Sequence, residues 1–186
     1  EKDAYSSVSI DDRASAYEAT KSLIEKGHRK IAVLLDSAHD HSISELRFMG
    51  YCQALEDSGL PVDQELVCET IDFTMEAAYE ATAELLSRRP DVTAVFSVAD
   101  SMAIAAMKAL YEFGRKVPED CSVIAIDGIE SSLYTTPTLT TLSQPQETLG
   151  EEAVRILVDV LEGRAKGSHI RLNTTLRPGG TVGMAR

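Results

Sequence analysis

Apolar residues along this 186-residue chain follow two alternating patterns. Short continuous runs at 30–36 (KIAVLLD), 65–73 (ELVCETIDF), 93–100 (TAVFSVAD) and 122–126 (SVIAI) are bounded by polar segments and read as strands with no wet face. Between them, apolar positions recur at helical spacing. The stretch 13–26 carries Ala16, Tyr17, Thr20, Leu23 and Ile24. The stretch 44–58 turns Leu46, Met49, Cys52 and Leu55 inward, 74–87 does so with Ala78, Ala81, Leu85 and Leu86, and 101–113 is apolar on most sides. Gly27, Gly59 and Gly114 stop three of these helices. Residues 138–145 form a short extended piece, 146–161 an amphipathic helix, and the tail an extended segment with a turn at Pro178-Gly179-Gly180. Apolar strands alternating with helices predict an α/β fold: a parallel sheet with helices on both faces.

The same pattern exposes a chemical oddity. Asp36, Asp72, Asp100 and Asp127 each close a predicted strand. In a parallel sheet all carboxyl ends lie on one edge, where ligands bind, so the four acids are expected to crowd one crevice. Each also has a plainer role. Asp100 precedes a helix and is read first as its cap, and Asp36 divides evenly between cap and site. Asp127 is read as functional, because Gly128 beside it lets the backbone run close to a neighbour. Arg47 sits in the first turns of a helix whose N-terminus faces that edge, where a guanidinium can fork onto ligand oxygens, although a solvated surface residue or a helix-face ion-pair partner is the ordinary alternative. On that reading Arg47→Ala removes ligand binding and leaves the melting temperature nearly unchanged. Phe73 is either core or a flat surface for a sugar ring or base.

Other chemistries are weakly supported. His39-Asp40-His41 lacks a second ligand set, so no metal is expected. His28 follows Gly27 and reads as a cap for the last helix carbonyls. Nucleophile elbow, phosphate loop, dinucleotide fingerprint and zinc motif are all missing, so neither catalytic residues nor a cofactor is assigned.

Charge and cysteines narrow the classes. A formal net charge of −12 repels phosphate backbones, so these residues are not expected to grip DNA. Three cysteines, Cys52, Cys68 and Cys121, have no metal-like spacing and read as buried thiols of a cytoplasmic protein. Apolar runs fall far short of the roughly eighteen residues a membrane span needs, and the charged start does not resemble a signal peptide.

Several stretches together resemble the LacI/GalR family of bacterial transcription regulators. LIEKGHRKIAVL resembles its helix-to-strand crossover, and SELRFMGYCQALEDSGL its Arg-x-x-Gly-aromatic helix. AVFSVADSMAIAAMKALYEFGRKVPEDCSVIAIDGIESSLYTTPTLTTLSQP is similar to its most recognisable segment, and LGEEAVRILVDVLEG and Arg177-Pro178 continue the match. The resemblance implies a periplasmic-binding-protein-like type I lobe with an incomplete second lobe. Residues 27–136 and 167–186 form the second, effector-binding lobe. Residues 1–26 and 137–166 are remnants of the first, expected to expose apolar faces such as Leu149, Ile156 and Leu157. On this resemblance the DNA-binding headpiece is expected to be absent from these residues, and the chain is expected to be a fragment.

The resemblance further implies an effector (sugar, polyol or nucleobase) held between lobes. Arg47, Asp127 and Phe73 are its expected contacts, with Asp100 and Ser44 at neighbouring family positions. Ala99 and Ile43 stand where family members often have polar residues. A homodimer is expected through the 101–113 helix and the Leu133-Tyr134 region, with Ile104 and Tyr134 at the interface; for any one helix residue, plain core is the equal alternative. Operator DNA would be contacted only through the headpiece. The other readings are an exported solute-binding protein of a transporter and a small α/β enzyme using the rim carboxylates.

Overall fold

A computed structural model describes residues 5–36, 43–164 and 167–186; His39-Asp40-His41 lies outside them. In chain order the elements are β1 (Ser7–Ile10), α1 (Asp12–Glu25), β2 (Ile31–Asp36), α2 (Ile43–Glu56), β3 (Val67–Thr70), α3 (Met75–Arg88), β4 (Ala94–Ser97), α4 (Asp100–Glu112), β5 (Ser122–Asp127), β6 (Thr140–Ser143), α5 (Gln146–Leu161), β7 (His169–Leu172) and β8 (Thr175–Arg177). Two 3-10 turns, Gln64–Leu66 and Glu130–Tyr134, join them.

The chain forms two compact units, one of Asp12–Ser143 with Leu176–Arg186, the other of Gln144–Thr175 with the segment ending at Asp11. These limits differ from the expected divisions at 27, 137 and 167, for packing reasons. Helix α1 lies along α2, β6 continues the sheet beside β5, and β7 pairs with β1.

The larger unit holds a six-stranded sheet in the order β3-β2-β4-β5-β6-β8. The pairs from β3 through β6 are all parallel. Helix α1 packs with α2 and α3 with α4, each pair against the sheet. Strands β2 and β5 share one burial pattern, five buried residues and then a half-exposed aspartate, Asp36 or Asp127. After β2 the chain steps to β3 on one side, then returns to β4 on the other. That reversal makes the carboxyl ends of β2 and β4 the switch point of the sheet, the place where open parallel sheets bind ligands.

Helix α2 is rotated from its expected phase. Leu46 and Met49 are 40% and 41% exposed, and Cys52 is half-buried, while Ser44, Arg47, Gly50, Tyr51, Ala54 and Leu55 face inward. Gly50 explains the rotation: a Cβ there would stand 2.2 Å from the Arg13 carbonyl oxygen and 2.9 Å from Ala16 Cβ. The backbones of α1 and α2 meet at that point, and only a residue without a side chain fits.

Other local expectations change as well. Strand β3 ends at Thr70, so Asp72 lies beyond the strand; its carboxylate accepts from the Thr74 N–H (3.1 Å) and hydroxyl (2.6 Å), and Thr74 caps α3. Those bonds hold the Asp72 carboxyl below the usual carboxylate range. His28 does not cap carbonyls with its ring. Buried, it lies 3.1 Å from the Thr93 hydroxyl and 3.2 Å from the Gly183 carbonyl, tying the C-terminal tail to β4's entry; burial lowers its pKa.

In the smaller unit β1 and β7 pair in parallel, and the Tyr5 and His169 rings meet edge-on at 4.9 Å. Helix α5 packs on β1. Ile156 is buried there and Leu149 half-buried, whereas Leu157 and Leu161 are exposed.

Gly50→Ala should lower stability by about 1–3 kcal/mol through overpacking. Gly150→Ala, in exposed α5 with nothing within 4 Å of the new Cβ, should be neutral or stabilising. Urea denaturation of both variants checks this; equal effects would show that the α1–α2 contact is not tight.

Candidate functional site

The Arg-x-x-Gly-aromatic pattern of α2 works as one unit. Gly50 lets the helix sit against α1, and the Tyr51 hydroxyl, one residue on, donates to the Ile31 carbonyl (2.8 Å) at the start of β2. These contacts fix the helix and aim its first turns across the carboxyl ends of the strands. Arg47 is 4% exposed. Its Nε donates to Asp12 Oδ1 at 2.9 Å, and its Nη1 donates to the Val98 carbonyl just past β4 and to Asp127 Oδ1 at 3.3 Å. Asp12, itself buried, is the first residue of α1, so its carboxylate also lies at a positive helix end. One guanidinium thus joins two acids that lie 35 residues before it and 80 after it in sequence.

Asp127 is held in an uncommon conformation, with φ of 137°. Gly128 follows at φ 78°, and a Cβ on it would stand 2.1 Å from Ser143 Oγ. The close neighbour expected of Gly128 is therefore β6. The turn is gripped from both sides. Asp100 Oδ2 accepts from the N–H groups of Gly128 (3.0 Å) and Ile129 (2.9 Å), while its Oδ1 accepts from the Thr141 hydroxyl (2.5 Å). Arg177 donates to the Gly128 carbonyl (3.1 Å), the Ile129 carbonyl (3.5 Å) and the Ser132 hydroxyl. Fixing both the donors and the acceptors of the turn offsets the backbone strain at Asp127, of order 1–3 kcal/mol.

Asp100 therefore does not cap its own helix. The N-cap of α4 is Ala99, which makes no side-chain bond, and the Asp100 carboxylate reaches across to the Asp127 turn instead. Its burial pushes its pKa up, and the bonds from Thr141 and from the turn oppose that shift.

The expected site residues separate into groups. Arg47 and Asp127 are in contact, and Asp100 joins them through the turn. Ser44 is wholly buried on the face of α2 that carries Arg47, one turn nearer the helix start. Phe73 lies in the loop after β3, 45% exposed. Ile104 is half-buried on α4, and Tyr134 is 78% exposed in the 3-10 turn. Among the described residues no group of three His, Cys, Asp or Glu is placed to hold a metal ion. Sequence reasoning missed Asp12 and Arg177. Asp12 stands out only as an acid at a helix start, and Arg177 only as the residue before a turn proline.

The burial of Arg47 overturns the expectation that its loss is harmless to the fold. Arg47→Ala leaves Asp12 without its cation and should cost about 3–5 kcal/mol. Arg47→Met with Asp12→Leu, which removes both charges, should cost less than the single change. Chemical denaturation checks this; a loss below about 1 kcal/mol for Arg47→Ala would contradict the buried pair.

Residues 20–182 match the periplasmic binding protein-like domain. The regulator MalR of Clostridium butyricum is 36% identical over 175 residues, covering 94% of this chain and 52% of MalR. A solved complex of the transcriptional regulator CelR with cellobiose superposes with a TM-score of 0.90 at 37% identity, over 96% of this chain and 54% of that one. A LacI family regulator from Enterococcus faecium with bound ribose superposes at 0.87 with 28% identity, over 97% and 66%. The chain spans about half the length of the curated relatives it matches.

Proposed function

Because this chain belongs to the periplasmic binding protein-like family, in the form found in LacI/GalR-type regulators, we propose that it is the effector-sensing part of a bacterial transcription regulator. Its ligand is a small, hydroxyl-rich molecule of the sugar class. The observation that carries the reading is the 3.3 Å contact between Arg47 and Asp127. It puts a donor and an acceptor side by side at the edge where an open parallel sheet binds ligands. Cellobiose and ribose in two structural neighbours support the ligand class. Phe73 offers the ring face such a ligand stacks on, and Ser44 a hydroxyl at the same edge.

The regulator reading assigns the remaining roles. The larger unit is the effector-binding lobe, and the smaller is part of a first lobe. DNA contact belongs to a basic segment other than these residues, in keeping with their net charge of −12. Pairing of two copies uses the surface of Ile104 and Tyr134; Tyr134, 78% exposed, offers the aromatic area such contacts favour. The protein works in the cytoplasm, binds and releases its ligand unchanged, and needs no cofactor. A ligand shifts DNA affinity only as far as it prefers one conformation over another.

Isothermal titration of the protein with cellobiose, ribose and a panel of sugars, polyols and nucleosides tests the reading. At least one should bind with 1:1 stoichiometry. Asp127→Asn should weaken that binding by about tenfold or more, the value of one lost charge-assisted hydrogen bond. Unchanged affinity in Asp127→Asn, or chemical conversion of the ligand, would refute it.

A further inference from the structure

Among the described residues three buried side-chain polar atoms have no hydrogen-bond partner: two acceptor-bearing groups, Asp36 Oδ1 and Ser44 Oγ, and one donor, Arg177 Nε. Buried polar groups are almost always bonded, and an unmatched carboxylate oxygen is among the costliest exceptions. Their place in the fold gives this meaning. Asp36 is the last residue of β2 and pairs in register with Thr70 of β3. The sheet order reverses between β2 and β4, so Asp36 stands on the rim of the switch-point crevice. Asp127 closes β5, two strands away, roughly 10 Å along the same edge at ordinary strand spacing. The β4 exit lies between them, where the Val98 carbonyl takes a bond from Arg47. Ser44 precedes Arg47 by one turn on the same buried face of α2.

The charge of this edge is lopsided. Among the described residues the acids Asp12, Asp36, Asp100 and Asp127 outnumber the cations Arg47 and Arg177, whose guanidiniums are bonded to protein oxygens except at Arg177 Nε. An incoming anion would meet surplus negative charge, whereas an uncharged donor finds acceptors ready. Resting on the reading of this edge as the ligand site, we propose that Asp36, with Ser44, forms a second contact point that takes a hydroxyl or amino group of the ligand. The pair makes the site select uncharged, donor-rich ligands over their phosphorylated forms.

Asp36→Ala and Asp36→Asn test this by two independent readouts. The first needs no ligand. Removing an unmatched buried acceptor should raise the melting temperature of the free protein in Asp36→Ala; a fall there would mean that the carboxylate has a structural partner and would overturn the proposal. The second is titration with matched pairs: ribose and ribose 5-phosphate, glucose and glucose 6-phosphate, adenosine and AMP. Whichever uncharged member binds should do so at least tenfold more tightly than its phosphate. Both variants should weaken it about tenfold or more and narrow the preference. Equal affinity for the two members, or undiminished binding in both variants, would overturn the proposal. A raised melting temperature with no pair member bound by the parent protein would support Asp36 as an open acceptor and count against the sugar-class reading instead.

Discussion

The larger unit is organised around one buried cation. Arg47 is almost sealed from solvent, and a guanidinium there is tolerable only if carboxylates and carbonyls surround it. Asp12, Val98 and Asp127 supply them, from the start of α1 and the ends of β4 and β5. Each partner in turn needs its own support. Asp12 requires α1 to lie beside α2, which Gly50 permits. Asp127 requires a left-handed turn, which Asp100 and Arg177 hold and Gly128 fits against Ser143. Core packing between helices and the chemistry of the strand ends are thus consequences of satisfying the same charge.

Much of this was visible in the sequence, for a definite reason. Strands buried on both faces must be apolar throughout, so their ends stand out as the first polar residue, and that alone puts Asp36 and Asp127 at the rim. Arg47 could be directed to the same edge because it opens a helix following such a strand. The order from α1 to α5, with five helices among the described residues, follows from the same periodicity, whereas β1 and the separate strands β7 and β8 carry no such mark.

What the sequence did not reveal depends on contacts between distant segments. Periodicity gives the wrong phase for α2 because Leu46 and Met49 look like core, whereas the inward face is set by a residue with no side chain, Gly50, meeting a neighbouring helix. Asp12 carries no local mark of its partnership with a residue 35 positions later. Asp100 has the position of a cap, but its carboxylate serves a turn 28 residues away. Arg177 sits in a tail whose local pattern is only extended chain and turn. In every case the deciding term is tertiary: a close backbone approach or a buried charge.

The central claim is that this charge-matched edge is where the small molecule sits. The most direct measurement is a crystal structure of the protein with the tightest-binding sugar or nucleoside. The account predicts ligand oxygens or nitrogens within hydrogen-bond distance of the Arg47 guanidinium or the Asp127 carboxylate, at the carboxyl ends of β2, β4 and β5. A ligand found at the opposite ends of the strands, near His28, or on the outer surface of α4, would contradict it.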